Sequence, residues 1–153
     1  FEPNPHAFEK LNLRFLFHPK VTCYKSAVLA KEGNVKLYFH ENSDEDEVHW
    51  STGSSLLDFK GNVLKDKSIE VEAIDLCAFI EDLKSEIEIL KIDVEGVEYE
   101  ILDKLIDTDL IHKIKKVFVE MHAEGIPELK DQEDRLMRRI KDLKLDHINT
   151  DWE

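Results

Sequence analysis

The sequence predicts an α/β fold: a mostly parallel sheet with helices on both faces and an inserted antiparallel hairpin. Short β-branched runs alternate with segments whose apolar residues recur at helical spacing, as in parallel sheets covered by helices. Two other runs, 35–39 and 68–74, alternate apolar and polar residues, which is typical of half-exposed antiparallel strands. These runs are the predicted hairpin.

Length and charge limit the classes of protein to which the chain can belong. Its 153 residues suffice for a core, and we expect a single domain over residues 1–153. The net charge of −13 disfavours nucleic acid or an anionic membrane as a partner, because both repel an acidic surface. Cys23 and Cys77 lack the spacing of a zinc site or a disulfide framework, so we expect thiols in a reducing, cytoplasmic location.

The first half of the chain begins at the end of a predicted strand, at Glu2. Asn4 is expected to cap a helix over residues 5 to about 17, because Pro5 suits the first helical position. Residues 21–29 are the next predicted strand, and the hairpin follows. The long connection within the hairpin carries an acidic run, 41–47, which we interpret as a solvated loop.

The second half is predicted to alternate strands and helices. Asp75 caps a short helix before the central strand. The elements that follow are predicted to be the central strand at 87–92, a helix at 97–107, a strand at 116–122, a helix at 131–144 and a last strand at 145–149.

Polar side chains follow two of these strands. Asp93 and Glu95 come after the central strand, and Glu120 and His122 end the next one. Residues two apart lie on one face of a strand, and open α/β sheets bind ligands at the carboxyl ends of their strands. We therefore expect these three carboxylates and the imidazole to converge on one ligand.

Such a cluster could have one of three roles. A histidine among carboxylates can act as a general base, because neighbouring charges shift its pKa. The same oxygens and nitrogen could bind a divalent ion, as in a metal-dependent hydrolase. In the purely structural alternative, Glu95 and Glu120 cap backbone amides and His122 is an exposed strand end.

Glu2 is a separate candidate for binding a ligand. An acidic residue at the end of an early strand is how nucleotide-binding α/β folds hold ribose hydroxyls. The alternative is a surface acid placed near a helix N-terminus, where the helix dipole favours it.

Four segments match one known family in order. They are Phe-Glu-Pro-Asn-Pro at 1–5, Gly-Ser-Ser-Leu at 53–56, Leu-Lys-Ile-Asp-Val-Glu-Gly-Val-Glu at 90–98 and Val-Glu-Met-His at 119–122. Together they resemble the FkbM family of S-adenosylmethionine-dependent methyltransferases over nearly the whole chain. The resemblance implies a Rossmann-like methyltransferase fold, S-adenosylmethionine as cofactor, and O-methylation of a hydroxyl on a small metabolite or sugar.

The resemblance also implies roles for single residues. Glu2 matches the ribose-binding acid, Ser26 and Ala27 fall where the adenine lies, and Asp93 matches the acid beside the methionine end. The candidates for the catalytic base, which takes the proton of the acceptor hydroxyl, are His122, Asp93, Glu95 and Glu120. Of these, His122 has the ordinary pKa best suited to neutral pH.

Members of this family carry a glycine-rich turn ahead of the Phe-Glu-Pro-Asn-Pro segment. None of the five glycines lies upstream of Glu2, so we expect this chain to be a piece of a longer protein. The alternative is a shortened relative that serves as a binding or scaffold domain without catalysis.

Overall fold

The computed structural model describes residues 1–151, which divide into two compact units, Phe1–Ile74 and the part from Asp75 onward. Among these residues there are four α-helices and six strands. They are α1 (Pro5–Phe15), β1 (Ala27–Leu29), β2 (Gly33–His40), β3 (Val63–Asp75), α2 (Leu76–Asp82), β4 (Leu90–Ile92), α3 (Glu98–Asp107), β5 (Val117–Val119), α4 (Lys130–Asp142) and β6 (Ile148–Asn149).

The first unit contains the predicted helix and hairpin. The side chain of Asn4 accepts hydrogen bonds from the amides of His6 and Ala7 at 3.0 and 3.4 Å, which confirms the predicted cap of α1. β2 and β3 pair antiparallel, as predicted, and β1 completes a three-stranded sheet in the order β1-β3-β2. The long connection contains a short 3-10 helix at His49–Gly53.

The second unit contains the parallel part of the fold. β4 pairs with β5 in parallel, β5 pairs with β6 in parallel, and the order is β4-β5-β6. Its core is aliphatic, and the side chains exposed by 3% or less include Ile92, Leu102, Leu105, Val117, Val119 and Leu136. This packing places the carboxyl ends of β4 and β5 side by side, where the predicted site residues follow.

The prediction of one parallel sheet that contains the strands ending at Glu2, Leu29, Asp93 and His122 is wrong for the described residues. β1 pairs with β3 in the first sheet, whereas β4 pairs with β5 in the second. Glu2 lies outside any strand. Its amide donates to the carbonyl of Tyr24 at 3.0 Å, but the prolines at positions 3 and 5 have no amide hydrogen with which a ladder could continue.

The parallel strands are also shorter than predicted. Residues 21–26 lie outside β1, and residue 87 forms only an isolated parallel bridge to Ile114 ahead of β4. The fold is therefore mixed α/β with two small sheets, of which only the second is parallel throughout.

Among the described residues, no helix is long and apolar enough to cross a membrane.

Candidate functional site

A tight turn joins β4 to α3 and carries the first two site residues. Glu95 and Gly96 both have positive φ angles, 59° and 116°. A glycine adopts such angles freely, whereas for a glutamate a left-handed backbone costs on the order of 1–3 kcal/mol. The turn thereby brings Oε2 of Glu95 to 3.5 Å from Nε2 of His122.

The imidazole of His122 lies at the centre of the cluster. Its Nε2 is 3.5 Å from Glu95 and 4.0 Å from Glu120, and a ligand atom each of Asp93, Glu120 and His122 lie within 4.8 Å of one another. The structure therefore brings all four of the predicted side chains together. The side chain of His122 is 13% exposed, so its interpretation as an exposed strand end is wrong.

A fourth carboxylate, Glu98, contacts the Nδ1 edge of the ring and is fully buried. Its Oε1 is 3.2 Å from Nδ1 of His122 and accepts the backbone amide of the same histidine at 3.0 Å. Its Oε2 accepts the amide of Gly96 at 2.9 Å. Glu98 thus joins the turn after β4 to the residues after β5.

Tyr99 packs beside Glu98 and supports the same segment. Its hydroxyl oxygen accepts the amides of His122 and Ala123 at 3.2 and 3.0 Å, and its hydroxyl donates to Glu133 at 3.4 Å. Burial, followed by the charges of Glu98 and Glu133, raises the pKa of Tyr99 well above its ordinary value. The hydroxyl therefore stays protonated and serves as a hydrogen-bonding bridge.

The electrostatics of the cluster follow from burial and from like charges. Burial and the charge of Asp93 raise the pKa of Glu120, against the opposing effects of His122 and Lys91. Burial by itself lowers the pKa of His122, but the hydrogen bond to Glu98 and the surrounding negative charges outweigh it, so the pKa is raised. Lys91 contacts the edge of the cluster through Asp93, at 3.1 Å.

The spacing of Asp93, Glu120 and His122 is compatible with one shared cation. Such spacings are also common among acidic side chains that bind no ion, so the distance by itself assigns no metal. The geometry is therefore compatible both with His122 as a general base and with a bound divalent ion.

The other predicted site residues belong to the first unit. Glu2 is half-buried, its Oε1 accepts the amide of Asn4 at 2.7 Å, and burial raises its pKa. Phe1 stacks on Tyr24 with ring centroids 4.8 Å apart, which holds this segment near the start of β1. Ser26 and Ala27 lie there with exposures of 5% and 2%.

A cavity of about 820 Å³ opens beside Glu120 in the second unit. The polar residues that line it are Glu120, Glu124, Lys130, Glu133, Thr150 and Asp151. The single lysine among them is paired with Glu133 at 2.7 Å and with Asp134 at 3.2 Å. The wall of the cavity is therefore negatively charged.

Sequence reasoning assigned no role to Glu98 or Tyr99. The pattern that marks Glu98 is its spacing from Ile101, Leu102 and Leu105, which places a charged residue on the buried face of α3. A carboxylate on the apolar face of a helix requires a partner, and His122 is that partner.

Comparisons with known proteins agree with the resemblance in the sequence. A family model for the methyltransferase FkbM domain matches residues 1–144, which is nearly the whole chain. In the same comparisons no curated protein and no solved structure matches.

Proposed function

The chain belongs to the FkbM methyltransferase family, and on this premise we propose that it transfers a methyl group from S-adenosylmethionine to a hydroxyl of a small metabolite or sugar. The observation that carries the proposal is the convergence of His122 with Asp93, Glu95 and Glu120 at the carboxyl ends of β4 and β5. An oxygen acceptor needs a base, and this cluster provides one.

Two residues of the first unit fit the cofactor. Oε1 of Glu2 is occupied by the amide of Asn4, which leaves its second oxygen to accept from a ribose hydroxyl. Nδ2 of Asn4 is buried and has no hydrogen-bond partner among the described residues, so an acceptor atom on a bound ligand would satisfy it. Ser26 and Ala27, buried at the start of β1, are the residues that we propose near the adenine.

The cofactor and the protein each supply one part of the proposed reaction. S-adenosylmethionine, when bound, supplies an electrophilic methyl group on a sulfonium and leaves as a neutral thioether. The acceptor hydroxyl must lose its proton as its oxygen bonds to the methyl carbon, and Nε2 of His122 is the atom that we propose takes it. The carboxylates around the ring stabilise the imidazolium that forms.

The acceptor is proposed to enter the cavity beside Glu120. This glutamate belongs both to the cavity wall and to the cluster around His122, so a hydroxyl compound bound at Glu120 would lie beside that cluster. A cytoplasmic location is part of the proposal, because Cys23 and the buried Cys77 are both free thiols, as a reducing compartment maintains them.

Calorimetry with S-adenosylhomocysteine tests the cofactor in the intact natural protein. Removing the carboxylate in Glu2→Ala should weaken binding about tenfold or more, because a hydrogen bond to a charged group contributes about 1.5–3 kcal/mol. The matched control is Glu9→Ala, an exposed glutamate of α1, which should bind as the natural protein does.

The outcomes separate the alternatives. Unchanged affinity of a folded Glu2→Ala variant removes Glu2 from the cofactor site. If the natural protein does not bind S-adenosylhomocysteine at all, the methyltransferase proposal fails and a scaffold domain is the better description. Loss of methyl transfer in EDTA, with recovery on adding a divalent ion, would make Asp93, Glu120 and His122 metal ligands and not acid–base groups.

A further inference from the structure

We propose that Glu98 is a positioning residue that fixes the orientation and tautomer of His122, so that Nε2 is the nitrogen that accepts a proton. The catalytic part of this inference rests on the proposed function. The orientation of the ring does not depend on the proposed function, because it follows from the contacts of Glu98 alone.

The inference starts from the donors around Glu98. Its side chain is fully buried, and its two oxygens face the backbone amides of Gly96 and His122, at 2.9 and 3.0 Å. Backbone amides can only donate, so both oxygens must accept. Two amide donors stabilise a negative charge on these oxygens, and on this ground we take the side chain to be a carboxylate. Its position in the first turn of α3 favours the negative charge, because the helix dipole is positive there.

The tautomer of His122 follows from this charge. Nδ1 lies 3.2 Å from Oε1 of Glu98, and a carboxylate oxygen offers only lone pairs. The contact is a hydrogen bond only if Nδ1 carries the hydrogen. In the neutral ring Nε2 then carries the lone pair, and it faces Glu95 and Glu120, of which Glu120 also lines the cavity. Free histidine favours the opposite tautomer, so Glu98 selects the less common one.

Glu98 also limits the rotation of the ring. The same oxygen that contacts Nδ1 accepts the backbone amide of His122, so the side chain and the main chain of this histidine are bound to a single atom. Turning the ring over would place Cδ2 at that oxygen and Cε1 toward Glu95 and Glu120, so both nitrogen contacts would be lost. The hydrogen bond that one ring nitrogen makes sets the state of the other, and here the partner of Nδ1 is the Glu98 carboxylate.

Nitrogen-15 NMR of the natural protein tests the tautomer directly. Spectra are recorded at alkaline pH, where the ring is neutral, and the signals of His122 are identified among the seven histidines by their loss in His122→Asn. We expect a protonated Nδ1 and an unprotonated Nε2. A protonated Nε2 would overturn the inference, and this measurement requires neither a folded Glu98 variant nor any methyl transfer.

Kinetics test the positioning role. Glu98→Gln should lower kcat about 10- to 100-fold, by analogy with the loss of the carboxylate partner of a metal-bound histidine, with little change in the KM of the acceptor. The matched control is Glu100→Gln, which removes an exposed carboxylate from the same turn of α3 and should leave kcat unchanged.

A double-mutant cycle separates positioning from support of the turn. If Glu98 acts through His122, the combined Glu98→Gln and His122→Asn variant loses no more activity than His122→Asn does by itself. Additive losses would show that Glu98 only holds the turn at Gly96, and would overturn the positioning role. A protonated Nδ1 in a protein that transfers no methyl group would support the positioning of the ring while the proposed function fails.

Discussion

At the scale of single residues, His122 is subject to two opposing effects on its pKa. Burial disfavours the charged ring, whereas the hydrogen bond to Glu98 and the charges of Glu98, Glu95 and Asp93 favour it. The second group of effects is larger, so the pKa of His122 is raised. The neutral ring required of a base therefore forms only at a higher pH than in a free histidine.

The pH dependence of the reaction should reflect this shift. If His122 is the base, the rate of methyl transfer rises with pH, and the midpoint of the rise lies above about 6.5, the ordinary value for histidine. His122→Asn should remove the rise while leaving the affinity for S-adenosylhomocysteine nearly unchanged. A rise that persists in that variant would assign the base to another group of the cluster.

The same shift predicts a contribution to stability. A raised pKa means that protonation of His122 stabilises the folded state. This contribution is complete below about 6.5, the unfolded value, and is lost as the pH rises through the higher folded value. Urea unfolding across that range should show the loss in the natural protein and not in His122→Asn.

At the scale of elements, Asp75 links α2 to α3. Its Oδ1 caps α2 by accepting the amides of Cys77 and Ala78 at 2.9 and 3.4 Å, and its Oδ2 pairs with Lys104 of α3. Burial opposes the charge, but Lys104 and the two amides outweigh it, so the pKa of Asp75 is lowered. One side chain therefore ends β3, begins α2 and attaches it to α3.

Two substitutions separate these roles. Asp75→Asn keeps an oxygen for the cap and loses the charge, whereas Asp75→Ala loses both. Asp75→Ala should lower the free energy of unfolding by about 0.5–2 kcal/mol through loss of the cap, with a further decrease through loss of the ion pair. Asp75→Asn should lower it less, because the cap remains. Urea unfolding measures both, and Asp82→Asn, at the exposed end of α2, is the control. Equal losses in the two variants would mean that the cap contributes nothing.

The lowered pKa of Asp75 sets the direction of the pH effect. Its stabilisation is complete above about 3.9, the unfolded value, and is lost as the pH falls through the lower folded value. The difference in stability between the natural protein and Asp75→Asn should therefore disappear in acid. A difference that does not change with pH would assign the effect to packing and not to charge.

At the scale of the whole molecule, charge predicts which class of acceptor the proposed reaction would use. The net charge is −13, and the cavity beside Glu120 is lined by carboxylates, with Lys130 already paired. A negative cavity attracts cations and repels anions. Hydroxyl compounds that carry an amino group should therefore bind better than otherwise similar compounds that carry a carboxylate or a phosphate.

Charge reversal in the cavity wall tests this preference. Glu124→Lys should raise the KM of an amino-bearing acceptor roughly three- to tenfold and lower that of an anionic one, since a nearby charge contributes about 1 kcal/mol in water. Glu128→Lys makes the same change of charge at an exposed residue that is not among those lining the cavity, and should have a smaller effect. Equal effects of the two variants would mean that the acceptor does not enter this cavity.

The sequence by itself determined the features that depend on neighbours along the chain. The caps by Asn4 and Asp75 bond to amides two and three residues away, so residue type and order suffice to predict them. The antiparallel hairpin followed from its alternating pattern, and the place of Asp93 and His122 followed from the rule that parallel strands end at one edge. The family could be recognised from short motifs of the same kind.

Only the tertiary structure decided which distant groups meet. The pairing of Glu98 with His122 joins residues 24 apart, and β1 bonds to β3 in place of a strand of the second sheet. Local pattern does not determine such contacts, because the burial of a charge and the choice of a strand partner depend on the side chains that several remote elements bring to one place. For this reason the sequence located His122 and left unidentified the carboxylate that orients it.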